Sequence, residues 1–434
     1  MQGKKAHFGY RIVVALVLTS FIPLSLGLSC AGIFYPSLSV HLDVDPGILS
    51  YYTSVIWIAS LVSLPFMGNL LDRGDARVFI SLAVAIAAAS FVWLSFTAEL
   101  WQFYVGAFAM GISVGMLLFL APSTLVNRWF HKRAGFLIGL VMAFTGIGGV
   151  VWSTVGGILI DAIGWSYTYL VFAGLSLCVL PATVFLVASH PREKGLMPYG
   201  AVEDDAGSRD PNDGRASTGP SGTNGAPLPS SEEADATHFS KVFRSPLFYL
   251  LCLMCFPLNI GMYLYFMIPS YATTIPIGAE FALLGATASS VAMAGQTISK
   301  LVLGSLGERH PEASTLGALA CGVVGTLMLW LLGNGIATFY IASFLFGVYY
   351  GITNVMMPIF TRLCFGSRGY ARIYSRISMV ASVSNASAAF IWGSIIGLSG
   401  SYVPLFVGVA ALMVITMGIV IAIGAMRKRQ RQSC

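Results

Sequence analysis

The sequence predicts an all-α membrane protein with twelve transmembrane helices, arranged as two six-helix halves related by a parallel pseudo-repeat. Three observations predict this fold: a low content of charge, a series of long apolar segments, and loop sequences that recur in both halves. Of the 434 residues, 56% are hydrophobic and only 10% are charged, whereas soluble domains carry about 25% charged residues. The composition therefore favours a chain that is embedded in lipid.

Apolar segments long enough to cross a bilayer as a helix, about 20 residues, recur along nearly the whole chain. The first is too long, and too poor in a small-residue cleavage site, to be a removable signal peptide, so we interpret it as the first spanning helix. The twelve predicted spans are 10–34, 48–70, 78–97, 101–126, 134–160, 167–188, 246–272, 281–304, 314–333, 336–363, 369–397 and 402–424.

The composition changes abruptly between residues 190 and 244. This stretch is rich in Gly, Pro, Ser and acidic residues and has almost nothing to bury, which is typical of disorder. We therefore expect an N-terminal six-helix bundle at 1–189, a disordered cytoplasmic linker at 190–244, a C-terminal six-helix bundle at 245–426 and a basic cytoplasmic tail at 427–434.

The positive charges are distributed asymmetrically along the predicted topology. With the N-terminus in the cytoplasm, every Lys and Arg apart from Lys300 falls on the cytoplasmic side or in the flanking helix ends, and the opposite loops carry only acids. This positive-inside pattern predicts a multi-pass protein of the plasma (inner) membrane with both termini cytoplasmic. The net charge of +6 therefore reflects topology and does not indicate a nucleic-acid partner.

Loop sequences recur at similar positions in the two halves. "GNLLDRGDAR" (68–77) follows span two and "GSLGERHPEA" (304–313) follows span eight, while "NRWFHKRAGFLIG" (127–139) and "TRLCFGSRGYARIYS" (361–375) follow spans four and ten. Two parallel repeats around a site near the membrane midplane are a transporter organisation.

The first of these loops carries a known signature. It resembles the major facilitator superfamily motif G-x-x-x-D-[RK]-x-G-x-[RK]. The matching residues are Gly68, Asp72, Arg73 and Arg77, and Asp75 replaces the second glycine. The copy after span eight is degenerate and keeps Gly304, Glu308 and Arg309. The resemblance covers all twelve spans.

The motif has a physical interpretation as a latch between helices. Asp72 can accept hydrogen bonds from the N-terminal amides of a neighbouring helix, while Arg73 and Arg77 can pair with acids or carbonyls, and Glu308 and Arg309 would repeat this in the second half. The alternative is an ordinary solvated loop that carries positive-inside charge.

Two further stretches resemble a particular branch of the superfamily. "GYRIVVALVLTSFIPLSLGLSCAGIFYPSL" and "NRWFHKRAGFLIGL" are similar to the monocarboxylate transporter and oxalate–formate antiporter branch. The resemblance implies a cationic side chain in the eighth helix, a few residues before the loop motif, that anchors a carboxylate. Lys300 stands there, four residues before Gly304; the family usually has Arg, whose bidentate fork lysine lacks.

The position of Lys300 favours the same role on physical grounds. Glu308 and Arg309 mark the interface, so at 1.5 Å per residue Lys300 lies roughly 12 Å inside it, and its side chain tilts deeper into the membrane. Gln296 shares its face, one turn away. The alternatives are a lysine that snorkels to the interface or one that pairs structurally.

Other polar residues are weaker candidates. Arg372 and Arg376, at the start of span eleven, predict either a cytoplasmic gate or plain anchoring. Side chains in spans seven, ten and eleven offer hydrogen-bonding groups near the centre, although a buried Tyr more often packs than binds a ligand. These candidates for substrate binding are Asn259, Tyr263, Tyr349, Tyr350, Asn354 and Asn385.

The expected function is secondary active transport, by alternating access, of small organic anions and foremost monocarboxylates, with a proton, sodium or a counter-anion as coupling ion. No Asp or Glu lies within the predicted spans, and Gln296 stands where proton-carrying relatives have Asp. The alternative is efflux of hydrophobic or drug-like compounds. Drug–proton antiporters of the superfamily that the chain resembles carry an Arg in span four and a Gly-Pro pair in span five, and this sequence has neither, which disfavours that alternative. A non-transporting membrane sensor is a third reading. No enzyme, metal site or cofactor is expected, since the sequence offers no nucleophile–base pair and the C-x-x-C at 252–255 has no further ligands.

Overall fold

The computed structural model describes residues 7–44, 46–49, 51–200, 239, 242–272, 274–276, 284–333, 335–367 and 369–432. Over these ranges the chain is almost entirely helical, and its one isolated β-bridge joins Phe130 to Tyr199. The twelve long helices are α1 (Gly9–Phe34), α2 (Tyr51–Arg73), α3 (Ala76–Ser95), α4 (Leu100–Trp129), α5 (Ala134–Ile163), α6 (Trp165–Leu186), α7 (Pro246–Ala272), α8 (Leu284–Leu306), α9 (Pro311–Leu332), α10 (Ile336–Phe365), α11 (Tyr370–Ser399) and α12 (Val403–Gln432).

These helices confirm the predicted fold class. In the described part of the chain, eleven of them are long and apolar enough to cross a membrane. The remaining one, α8, has 23 residues and is more polar, because Gln296 and Lys300 interrupt its apolar sequence. This helix is the one that the sequence analysis assigns to the substrate.

Local sequence signals fix where several helices begin. The Asp75 side chain caps α3 by accepting a hydrogen bond from the backbone N–H of Arg77, at 2.9 Å. Ser245 caps α7 in the same way, directly before Pro246, and proline is well suited to the first helical position. These two side chains thus mark the first residues of α3 and α7.

We call the bundle end that carries loops 73–76, 130–133, 307–310 and 366–369 the basic end. The two halves, α1–α6 and α7–α12, meet there through two helix pairs, α5 with α8 and α2 with α11. Gly139 of α5 lies so close to the backbone carbonyl of Lys300 that a Cβ atom would collide with it, and Gly68 of α2 is equally close to Ser375. Small residues allow helix backbones in membranes to approach in this way.

The predicted linker begins with a structured segment. The Glu193 carboxylate pairs with Arg77 at 3.2 Å, and the backbone N–H of Tyr199 donates to the Trp129 carbonyl at 2.8 Å. Residues 190–200 therefore pack under the first half, which moves the start of any linker to residue 201. Residues 201–238 lie outside the described part of the chain.

The far end of the linker also contacts the bundle. Phe239 is buried, and the Arg372 guanidinium lies 4.1 Å above its ring, a distance suited to a cation–π interaction. The side chain of Phe239 also fills the space beside Gly369. Gly369 has a φ of +58° and directly precedes the first residue of α11. The chain on both sides of residues 201–238 is thus attached to the basic end.

Replacing residues 201–238 with a short Gly/Ser segment should leave a folded protein, because the packed segments on both sides are retained. We expect a monodisperse peak in detergent and an unchanged melting temperature. The matched variant, which also removes residues 190–200, should melt lower because it loses the Glu193 and Tyr199 contacts. Aggregation of the shorter deletion would show that residues 201–238 pack against the helices.

Candidate functional site

A cavity lies between the two halves, at about the middle of the long helices. Its volume is about 50 Å³, room for a few water molecules. Its two walls differ in chemistry: the first half contributes mainly apolar side chains and the second mainly polar ones. The first wall consists of Leu24, Leu28, Ser29, Trp57, Leu118, Phe119 and Thr145, and the second of Asn259, Met262, Met293, Gln296, Lys300, Tyr350, Thr353, Asn354 and Asn385.

Lys300 is the one charged residue among those that line this cavity. Its side chain is only 1% exposed, and its ammonium donates to the Met142 carbonyl at 3.1 Å and to the Thr145 hydroxyl at 2.9 Å. Both acceptors are neutral and belong to α5 in the opposite half. The ammonium therefore points into the protein, and the alternative of a lysine that snorkels to the interface is excluded by its geometry.

Five of the other predicted substrate residues line the cavity with Lys300. Gln296 lies one turn from it on α8, and Asn259 on α7 accepts a hydrogen bond from Asn385 on α11 at 3.4 Å. Tyr350 and Asn354 of α10 complete the polar wall. Four different helices thus bring amide groups to one place.

Two predicted residues are not part of the cavity lining, which corrects their placement. The Tyr349 hydroxyl donates to the Leu258 carbonyl at 2.7 Å, and the ring packs against Gly322 of α9. Tyr263 is half-buried, with its ring 5.7 Å from that of Phe266. Adjacent helical residues point about 100° apart, so Tyr350 faces the cavity and Tyr349 faces the neighbouring helices.

Sequence reasoning missed the residues that the first half contributes. Thr145 and Ser29 are polar, but each is short and stands in an apolar helix, where such residues commonly bond to their own backbone. Trp57 carries no signal of its own in the apolar run of α2. Thr353 adjoins Asn354, and that polar pair is the one local signal that could have identified it.

Four of the helices that line the cavity, α1, α4, α7 and α10, are irregular next to it. α1 and α4 contain π-helical turns at Ser20–Leu24 and Gly115–Leu120, and α7 and α10 are interrupted at Tyr263 and Gly351. Each irregularity contains or adjoins a residue of the cavity lining. π-Helical turns frequently mark functional sites.

Asp72 joins the two halves at the basic end. Its carboxylate accepts a hydrogen bond from the backbone N–H of Arg372, in the first turn of α11, at 3.0 Å, and another from Arg128 of its own half at 3.2 Å. A carboxylate at a helix N-terminus is stabilised by the helix dipole. We refer to this as the Asp72 contact.

The second half repeats this arrangement. Glu308 of the loop after α8 accepts a hydrogen bond from the backbone N–H of Gly135, in the first turn of α5, at 2.6 Å. Beside it, Arg362 of α10 donates to Asn127 of α4 at 3.0 Å. This Glu308 contact and the Asp72 contact are related by the internal repeat, and both close the basic end.

Among the side chains that the structure describes, the remaining predicted gate residues make no hydrogen bond to the other half. Arg77 pairs with Glu193 of its own half, and Arg309 and Arg376 are exposed. The Arg73 side chain lies outside what the structure describes. Exposure on α11 fits plain anchoring for Arg376, the second of the two alternatives for that residue.

Asp75 is an acidic residue of the same sequence motif as Asp72, and its described hydrogen bonds stay within one half. Its carboxylate accepts hydrogen bonds from the backbone N–H of Arg77 at 2.9 Å and from the Ser189 hydroxyl at 2.8 Å. Partial desolvation alone would raise the pKa of Asp75, but these hydrogen bonds hold it below its ordinary value. Asp75 is therefore ionised at neutral pH, which makes it a suitable acid for comparison with Asp72.

Two repeated six-helix halves around a central polar cavity are an organisation that membrane transporters use. The family description "Major Facilitator Superfamily" matches residues 17–389. The chain belongs to this superfamily, which confirms the resemblance drawn from the loop motif.

Relatives of known name include monocarboxylate transporters. The human protein "Monocarboxylate transporter 6" is 26% identical over 194 residues, which cover 44% of this chain and 38% of that protein. The "Uncharacterized transporter ESBP6" of Saccharomyces cerevisiae is 24% identical over 81% of this chain and 49% of its own length. The chain thus spans about half the length, or less, of these curated relatives.

Solved structures share the fold along nearly the whole chain. The proton:xylose symporter XylE superposes with a TM-score of 0.66 at 12% identity and covers 94% of both chains. The human organic anion transporter MFSD10 also gives a TM-score of 0.66, at 14% identity, covering 96% of this chain and all of that one. At such identities the likeness concerns the fold alone.

Removing the charge of Asp72 should loosen the basic end. The Asp72→Asn variant weakens one charge-assisted hydrogen bond across the halves, worth about 1.5 kcal/mol, so the ratio of open to closed molecules should rise roughly tenfold. The measurement is the labelling rate of single cysteines placed between α2 and α11 at that end.

The matched control is Asp75→Asn, which removes an acid from the same sequence motif without touching the other half. It should leave the labelling rate unchanged, whereas Glu308→Gln should raise it between α5 and α8. Equal labelling of all three variants and the parent protein would reduce both contacts to ordinary loop interactions.

Proposed function

We propose that this protein is a secondary active transporter for small organic anions, with monocarboxylates as the preferred class. The observation that carries the proposal is the Lys300 ammonium, which is buried at the cavity with neutral acceptors as its partners. A buried charge that lacks an opposite charge is costly, and a carboxylate bound in the cavity would offset that cost.

The shape and chemistry of the cavity support a small amphipathic substrate. Lys300 and Gln296 would hold the carboxylate, and Asn259, Asn385 and Asn354 would orient polar substituents. Opposite them, Trp57 and the other apolar side chains of the first half suit a short hydrocarbon chain. In this conformation the volume of about 50 Å³ suits a molecule of a few heavy atoms.

The relatives support the same substrate class. Several are named as monocarboxylate transporters, and one similar structure is that of a protein named as an organic anion transporter. We therefore assign Lys300 the role of carboxylate anchor, in place of the arginine that is usual in that branch.

We further propose that the basic end faces the cytoplasm, at the plasma membrane, as the positive-inside pattern predicts. The Asp72 and Glu308 contacts then act as latches that close the cytoplasmic side, and their release lets the halves rock around the cavity. The cavity lining contains no carboxylate, so a proton carried on an acid beside Lys300 is not part of this proposal. The coupling ion stays open among a proton, sodium and a counter-anion.

The proposal predicts a graded effect of substitutions at Lys300 in proteoliposomes. Lys300→Ala should abolish saturable uptake of labelled monocarboxylates, since truncating a buried partner of a charge pair costs about 3 kcal/mol, roughly a 100-fold loss of affinity. Lys300→Arg should retain measurable uptake because the charge survives.

Lys132→Ala, which removes a cation from the exposed surface of the basic end, is the control for net charge and should transport normally. Each variant should elute as a monodisperse protein, so that loss of uptake is not loss of fold. Normal uptake by Lys300→Ala would refute the anchor and with it the assignment of the substrate class.

A further inference from the structure

The hydrogen bonds of Lys300 cross from one half of the protein to the other. Lys300 belongs to α8, whereas both of its acceptors, the Met142 carbonyl and the Thr145 hydroxyl, belong to α5. The Thr145 hydroxyl donates its own hydrogen bond to the same Met142 carbonyl, at 2.7 Å. A lone pair of the hydroxyl oxygen is therefore available to accept from the ammonium. Thr145 also lines the cavity, where a substrate would arrive.

We propose that Thr145 is a positioning residue that holds the Lys300 ammonium across the two halves in the empty transporter, and that a substrate carboxylate displaces it. Binding of the anion then breaks the link between α5 and α8 and permits the basic end to open. This inference rests on the proposed function, because it assigns the coupling between the anion site and the opening of the halves.

Opening at the basic end requires α5 and α8 to separate. Gly135 and Gly139 of α5 lie against Gly304 and the Lys300 backbone, and the Glu308 contact joins the same two helices. Any movement that parts these helices withdraws Lys300 from Met142 and Thr145. In the empty protein the ammonium would lose both acceptors while still buried, which opposes opening.

A carboxylate is the partner that changes this balance. Hydrogen bonds between two ionised groups are stronger than those to neutral oxygens, so a bound anion can compete with Thr145 and Met142 for the ammonium. The other polar groups of the lining are amides and hydroxyls, which offer no such advantage. Substrate occupancy thus determines whether the helices can part. The empty transporter therefore changes between its two states more slowly than the loaded one.

The test uses Thr145→Val, which keeps the shape of the side chain and removes its hydroxyl. Spin labels at Phe136→Cys on α5 and Leu306→Cys on α8, two exposed positions at the basic end, report the separation of the helices in the protein without substrate. We expect the parent protein to show the short distance, and Thr145→Val to show a second, longer distance in a substantial fraction of molecules.

Two further variants separate the hydroxyl from general effects. Thr145→Ser restores the acceptor and should behave as the parent protein. Thr154→Val removes a hydroxyl from the same helix at an exposed position, where it bonds to Val150 of its own helix, and should also leave the distances unchanged. A distance distribution in Thr145→Val identical to that of the parent, or an equal change in Thr154→Val, would overturn the inference.

A transport measurement gives the second readout. In proteoliposomes, two rates are compared: net efflux of internal carboxylate, and exchange of internal for external carboxylate. Their ratio should rise at least threefold in Thr145→Val, because net efflux requires the empty transporter to change state and the variant does so more easily. An unchanged ratio would contradict the inference. If the parent protein transports no carboxylate, the proposed function fails, and the spin-label distances in the empty protein still decide the role of Thr145.

Discussion

One ammonium group, buried between two six-helix halves with no carboxylate beside it, is the constraint on which the rest of the site depends. Transfer of such an ion from water costs several kcal/mol, and two neutral oxygens of the opposite half offset part of that cost. The close approach of α5 and α8 at their glycines brings those oxygens within reach. Packing, cavity and charge are therefore parts of a single arrangement.

The same helices connect the cavity to the basic end. The α5–α8 pair carries both the Lys300 contact and the Glu308 contact, and the α2–α11 pair carries the Asp72 contact. Each acid binds the first turn of a helix in the other half, where the unpaired N–H groups and the helix dipole favour an anion. The internal repeat thus produces two related closures, whereas the one charged residue of the cavity lining belongs to the second half.

The sequence predicted those features that stand out against an apolar background. Lys300 and Gln296 interrupt a spanning helix one turn apart, and Asp72 belongs to a loop motif with a physical role at a helix N-terminus. Thr145 could not be predicted, because a threonine in a spanning helix usually bonds to its own backbone. Tyr349 and Tyr350 could not be distinguished, because the rotation of α10 is set by its neighbours. The packed start of the linker was hidden in a stretch of polar composition.

The most direct test of the central claim compares a carboxylate with its neutral isostere. The parent protein in proteoliposomes is given labelled lactate and labelled lactamide, which share size and hydroxyl group and differ in charge. A site built on the Lys300 ammonium should take up lactate saturably, and lactamide should neither be transported nor compete. Equal uptake of the two compounds would contradict the claim that a buried cation selects the substrate.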